Sequence, residues 1–288
     1  MTLFINFYWL VLQSRGIPAD CIRKIIEFAH HVFGRKAGEL TGHTNTINSI
    51  VALSDGTITT GSDDYTVRWW RNNKCKHLGR HESSVSCLAA LPERMVASGS
   101  LDFTAKIWQA GVCQRTLVHA SPVSVVAFHE GNLASASSGR ITVWSLEGDQ
   151  IRVIVYDGLT YFLGSFEGNI VSADYNGCIS IWATPVPTMI AVSNCAPVVT
   201  CGDLVCAVDN RIMRGNSQTW DSRRQYRHKI RMLRAMPNRN LIMVCRNEIS
   251  ILDSEGHVEL TVSGPAKDLV VCDGKLYIAI RDRVRVYA

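Results

Sequence analysis

Apolar and polar positions follow two different rules along the chain. Over residues 18–33, Ile22, Ile25, Ile26, Ala29, Val32 and Phe33 recur at helical spacing and mark one apolar stripe. Pro18 suits a first helical position, Asp20 complements the positive helix end, and Gly34 is a natural stop, so the pattern predicts one amphipathic helix. Beyond residue 34 the text changes to short β-branched runs divided by Gly, Asp and Ser, which predicts consecutive antiparallel strands.

These strand runs repeat. One unit begins at Gly42-His43, passes through Thr60-Gly61-Ser62-Asp63-Asp64 and closes on Val67-Arg68-Trp69-Trp70. The same order returns at His81, Ser98-Gly99-Ser100-Leu101-Asp102 and Ala105-Lys106-Ile107-Trp108, then at His119, Ser135 and Ile141-Thr142-Val143-Trp144. His43 to His81 is 38 residues, and His81 to His119 is 38 again. Four short strands fit in one unit. A single sheet of that size cannot bury both faces, so copies must stack, and radial stacking predicts a propeller. Weaker unit ends follow at Ile179–Trp182, Arg211–Arg214, Glu248–Leu252 (with His228 at the histidine position) and Arg283–Tyr287, which brings the expectation to seven blades. The last unit lacks its outermost strand. Residues 35–41 stand where such a strand would lie, so they are expected to pair with the C-terminal strands and close the ring, removing an open sheet edge.

Repeat length and punctuation resemble the WD-repeat β-propeller family. The resemblance implies two structural tetrads, His43, Thr60, Asp64 and Trp70, and His81, Ser98, Asp102 and Trp108, in which side-chain hydrogen bonds tie the strands of one blade. The expected fold is therefore all-β: a seven-bladed WD-repeat propeller over residues 35–288, preceded by a short α-helical segment over residues 1–34. Within that segment, Ile17-Pro18-Ala19-Asp20-Cys21-Ile22-Arg23-Lys24-Ile25-Ile26-Glu27-Phe28 resembles the opening of an F-box. The resemblance implies that Ile22, Ile25, Ile26 and Ala29 offer a docking face to a Skp-type adaptor.

Composition narrows the class. The chain has 288 residues, 47% hydrophobic and 19% charged, which excludes a disordered protein. The apolar run Leu3–Leu12, broken by Asn6, is too short for a membrane span of about 20 residues, and no membrane partner is expected. Ten cysteines are too dilute for a disulfide scaffold and form no C-x-x-C pair or metal-spaced cluster, so no metal or cofactor is expected, and Cys87, Cys178, Cys206, Cys245 and Cys272 read as small apolar strand residues. A reducing, intracellular location (cytoplasmic or nuclear) follows as the expectation. Phosphate-loop, zinc-protease and nucleophile-turn motifs do not occur, and the recurring Ser, His and Asp recur because the repeat does, so no enzyme activity is expected.

Charge supplies the candidate chemistry. Arg211 through Arg246 holds nine arginines and one lysine against Asp221 alone, while the whole chain carries +5. Second-to-third-strand turns and the loops leading into first strands share one face in the family. That places Arg140, Arg211, Arg246, Arg281 and Arg283 at turns and Arg223, Arg224, Arg227, His228 and Lys229 in a leading loop. Guanidinium groups pair with carboxylate or phosphate in two-pronged fashion, so the expected partner is an acidic or phosphorylated protein segment held by blades five to seven. Nucleic acid fits less well, since only Trp220 and Tyr226 could stack on bases. Two functions remain: a non-catalytic protein-interaction module resembling F-box/WD-repeat substrate adaptors of ubiquitin ligases, or a structural scaffold whose first 34 residues bind a neighbouring subunit, with another anionic partner on the basic face.

Overall fold

The computed structural model describes residues 36–72, 74–183, 188–191, 195–200, 204–208, 210–215, 220–226, 228–236, 240–246, 248–252, 258–263 and 266–287. Every element among them is a strand. Residues 1–35, with the helix expected over 18–33 and its stripe of Ile22, Ile25, Ile26 and Ala29, lie outside the described residues.

The strands form seven four-stranded antiparallel sheets. Blade one is Ile47–Ala52, Ile58–Ser62, Thr66–Arg71 and Lys74–Arg80; blade two is Val85–Ala90, Val96–Ser100, Thr104–Gln109 and Val112–Val118. Blade three is Val125–His129, Asn132–Ser137, Arg140–Trp144 and Gln150–Val155; blade four is Thr160–Phe166, Asn169–Asp174, Cys178–Trp182 and Thr188–Ala191. Blade five, Cys195–Thr200, Leu204–Val208, Arg211–Gly215 and Trp220–Gln225, has its full set of strands although no tryptophan closes its third. Blade six is Ile230–Ala235, Leu241–Cys245, Glu248–Leu252 and Val258–Ser263. Blade seven takes Asp268–Cys272, Lys275–Ile280 and Arg283–Tyr287 from the C-terminus and Lys36–Thr41 from the other end of the chain, with Thr41 opposite Arg283 and Gly38 opposite Val286.

There is no single core. Seven apolar clusters each join two successive blades, and the last joins Leu40, Ala279, Val284 and Val286 of blade seven to Ile47, Ile50, Ile58 and Trp70 of blade one. The ring is closed by this cyclic order. Alternation along a strand sends neighbours to opposite clusters: Leu133 packs toward blade two, Ala134 and Ala136 toward blade four. Both faces of a second strand are therefore buried, as in Ile58–Ser62 and Val96–Ser100, and each fully buried Ile or Leu contributes roughly 1.5–3 kcal/mol of hydrophobic stabilisation. Small residues set the spacing. A methyl group on Gly79 of blade one would run into the Trp108 ring of blade two.

Polar side chains on the first strands tie each blade to the next. Asn48 Nδ2 donates to the Val85 carbonyl at 3.1 Å, Ser86 Oγ to Val123 at 2.6 Å and Ser124 Oγ to Thr160 at 2.7 Å. Beside blade seven the same work falls to buried Asp268, which accepts from Arg234 of blade six and from the Ser49 hydroxyl and Ile50 amide of blade one.

Candidate interaction face

The side chains that recur most regularly are structural. In blade two, Trp108 Nε1 donates to Ser98 Oγ at 2.7 Å, Ser98 meets His81 Nε2 at 2.7 Å, and His81 Nδ1 meets Asp102 Oδ2 at 2.8 Å. An indole is only a donor, so the Ser98 hydroxyl passes its own hydrogen to Nε2 and neutral His81 donates from Nδ1 to the carboxylate. Blade one repeats the chain through Trp70, Thr60, His43 and Asp64 at 2.8, 2.7 and 2.8 Å. Burial lowers the affinity of His81 and His43 for a second proton and outweighs the adjacent carboxylates. Burial opposes ionisation of Asp102 as well, yet bonds from Thr104, the Glu82 amide and His81 outweigh it and hold the carboxyl at about 2; Asp64 is held at about 2 the same way by Thr66, Thr44 and His43.

The order serine, histidine, aspartate is that of a hydrolase triad, but His81 and Ser98 have no exposed surface and Ser98 already accepts from Trp108. No substrate carbonyl can reach the hydroxyl. Blade three keeps His119, Ser135 and Trp144 without the acid. Blade four keeps Ser172 and Trp182, with Tyr156 taking the histidine's place against the indole at 5.5 Å between ring centroids. In blade six His228 is exposed rather than buried among strand side chains, which corrects its reading as a tetrad histidine.

Turns between second and third strands share a face with the loops leading into first strands, because amides of one bond to carbonyls of the other. His81 donates to Tyr65, His119 to Phe103, Tyr175 to Leu159, Tyr226 to Asn210, and Ile47 of blade one to Arg281 of blade seven. On this face Arg246 and Arg281 occupy the turns of blades six and seven, and Arg211 follows that of blade five. All three are exposed, and none is paired with a carboxylate among the described residues. Arg231 of blade six is exposed at the station where blades one to three carry Asn48, Ser86 and Ser124. Lys229 is exposed in the loop before blade six.

Other candidates do not join this group. Arg140 starts a third strand of blade three, separated from blades five to seven by blade four. Arg283 is bound to Glu39 and Asp282 at 3.5 and 3.4 Å. Together with Arg281, Arg285 and Ile280 it lines a depression of about 490 Å³. Arg223 and Arg224 fall in the fourth strand of blade five rather than a loop, since the chain pairs through Arg224 opposite Ile212; their side chains and Arg227 lie outside the described residues.

The turns also carry what hydropathy patterning does not show. Tyr65 and Phe103 sit with φ of 72° and 69° and are 38% and 46% exposed, next to Leu101 at 47%. Blades three and four place Gly139 and Gly177 in the corresponding left-handed turns. A side chain there costs roughly 1–2 kcal/mol, more than glycine would. Arg246 and Arg281 are left-handed too, with φ of 40° and 52°. A sequence signal existed: the turn Gly in blades three and four is replaced by Tyr and Phe in an otherwise matching unit.

Among the described residues no group of His, Cys, Asp or Glu is arranged to hold a metal ion, and no helix is long and apolar enough to cross a membrane. Cys87, Cys206 and Cys245 are buried free thiols, and burial raises the first and last to about 11.

Residues 34–71 and 72–109 match the model of the WD40 family, "WD domain, G-beta repeat". No curated protein matches the chain. Among solved structures it is similar to the WD40 β-propeller domain of Doa1, at 17% identity and a TM-score of 0.77, over 88% of this chain and 96% of that one. The chain thus has the fold of a WD40 β-propeller, with the WD40 repeat itself in its first two blades.

Proposed function

We propose that this chain is a non-catalytic protein-interaction module whose turn face takes an acidic or phosphorylated segment of a target protein. The observation that carries this reading is the row of exposed, unpaired Arg211, Arg246 and Arg281 on three successive blades. Fixed on strand ends by the blade-to-blade hydrogen bonds, these guanidinium groups need no large rearrangement to meet carboxylate or phosphate. Buried, neutral cysteines suit a reducing intracellular compartment.

The sequence pattern from Ile17 to Phe28 supports a finer version, a substrate-recognition adaptor of a ubiquitin ligase that docks a Skp-type protein through Ile22, Ile25, Ile26 and Ala29. Two changes test the two halves separately. Full-length chain carrying Ile25→Asp and Ile26→Asp should lose a purified Skp-type adaptor while keeping its thermal midpoint; no adaptor binding by the unaltered chain would leave a scaffold instead. Arg246→Glu with Arg281→Glu should abolish binding of acidic and phosphoserine peptides, and unchanged binding would refute the basic-face reading.

A further inference from the structure

Around the ring, blades six, seven, one and two follow one another, as the Arg234 to Asp268, Ile47 to Arg281 and His81 to Tyr65 hydrogen bonds show. Each of these four blades places a bulky, exposed side chain at a left-handed residue of its second-to-third-strand turn: Arg246, Arg281, Tyr65 and Phe103. Blades three and four have glycine there. Strained, bulky residues persist where the surroundings over-determine the backbone, and the carbonyls of Tyr65, Phe103 and Arg281 are each held by an amide of the next blade. The four side chains also change character in order. Two cations come first, then an aromatic ring with the Arg80 guanidinium 5.5 Å from its centroid, then a second ring flanked by Leu101.

We propose that this four-blade arc is one continuous docking strip for a bipartite protein segment, with its acidic half on Arg246 and Arg281 and its apolar half on Tyr65, Leu101 and Phe103. The proposal deepens the reading above and rests on it for the acidic half. Charge decides the occupant: a second copy laid on the same strip would bring arginine toward arginine, whereas a carboxylate or phosphate followed by Leu or Phe satisfies both ends. The rings supply rigid anchors with few rotatable bonds, and the left-handed backbone turns them outward into contact with a partner instead of into the blade.

The test uses the full chain and synthetic peptides that join a glutamate-rich or phosphoserine-containing half to a half bearing Leu and Phe at varied spacing. Replacing Leu and Phe by Ser in the peptide should weaken binding about tenfold, the scale expected for losing one or two buried apolar anchors. Tyr65→Gly with Phe103→Gly should erase that tenfold difference while leaving the affinity for the purely acidic peptide unchanged. Phe103→Gly alone should raise the thermal midpoint, because glycine relieves the left-handed backbone; a structural role for the ring would lower it and overturn the proposal. Acid-dependent binding that is indifferent to Leu and Phe overturns this proposal alone. Binding that ignores Arg246→Glu and Arg281→Glu overturns the earlier reading and, with it, the acidic half of the strip. Comparing glutamate with phosphoserine peptides tells which anion is read.

Discussion

Arg234 of blade six places Nη2 2.8 Å from Oδ1 of Asp268 on blade seven, and the other oxygen of that carboxylate reaches blade one through Ser49 Oγ at 3.2 Å and the Ile50 amide at 3.0 Å. Ser49 in turn accepts the Leu88 amide of blade two at 3.2 Å. One buried charge thus links the blades on either side of the point where the two ends of the chain meet.

Removing that charge should cost more than removing its cation. Asp268→Ala is expected to destabilise the propeller by about 3 kcal/mol, since Arg234, Ser49 and Ile50 all lose a charged acceptor. Arg234→Ala should cost about 1 kcal/mol, because its side chain is partly exposed and the carboxylate keeps its other two donors. Urea denaturation of the two variants checks the ranking, and equal losses would show that the ion pair, not the amide and hydroxyl, carries the effect.

Within a blade, the decisive atom is the serine oxygen. Ser98→Ala strands the Trp108 N–H and the Nε2 of His81 in a space without water, and a loss of about 2 kcal/mol is expected. Gly79→Ala should be at least as damaging, as the new methyl group presses the Trp108 ring out of the contact between blades one and two. Thermal melts with near-ultraviolet circular dichroism would register both; a Gly79→Ala variant as stable as the parent would mean that the blades slide apart at little cost.

Stability should fall on mild acidification. His43, His81 and His119 have folded-state affinities for protons below the ordinary 6.5, so the unfolded chain takes up protons first and their contribution, complete above about 6.5, is lost as pH drops below it. Asp64 and Asp102, at about 2 against 3.8 when unfolded, each add about 2 kcal/mol that persists until pH falls from about 4 toward 2. A thermal midpoint followed from pH 8 to 3 should decline in these two stages. A midpoint that rises between pH 7 and 5 would instead mean that the histidines are charged partners of the aspartates.

Loss of the C-terminal strand should be felt across the ring. Deleting residues 283–288 removes the partner of Lys36–Thr41 and exposes the edge of Lys275–Ile280. Aggregation or loss of a cooperative melt is expected, measured by size-exclusion chromatography and circular dichroism; a monomer that melts like the parent would show that six blades hold the ring closed unaided.

Much of this architecture is written locally. His81, Ser98, Asp102 and Trp108 lie within one sheet, and strand pairing by short turns converts their spacing directly into hydrogen bonds, so the repeat alone identifies them. Arginines of blades five to seven are likewise found by counting, because a ring orders its face in the order of its blades. Other properties arise only between distant parts of the chain. Whether an arginine is available depends on what stands opposite it: Arg283 is occupied by Glu39, 244 residues away, while Arg281 two positions earlier is free of any carboxylate among the described residues. Tyr65 and Phe103 look in the text like ordinary strand-end aromatics, and Arg234 and Asp268 like surface charges. The sequence by itself determined the repeating blade, since that depends on period and turn chemistry over tens of residues. Only the tertiary structure decided which side chains are exposed, strained or paired, because closing the ring brings blade seven against blade one and sets every turn against a neighbour that local spacing does not name.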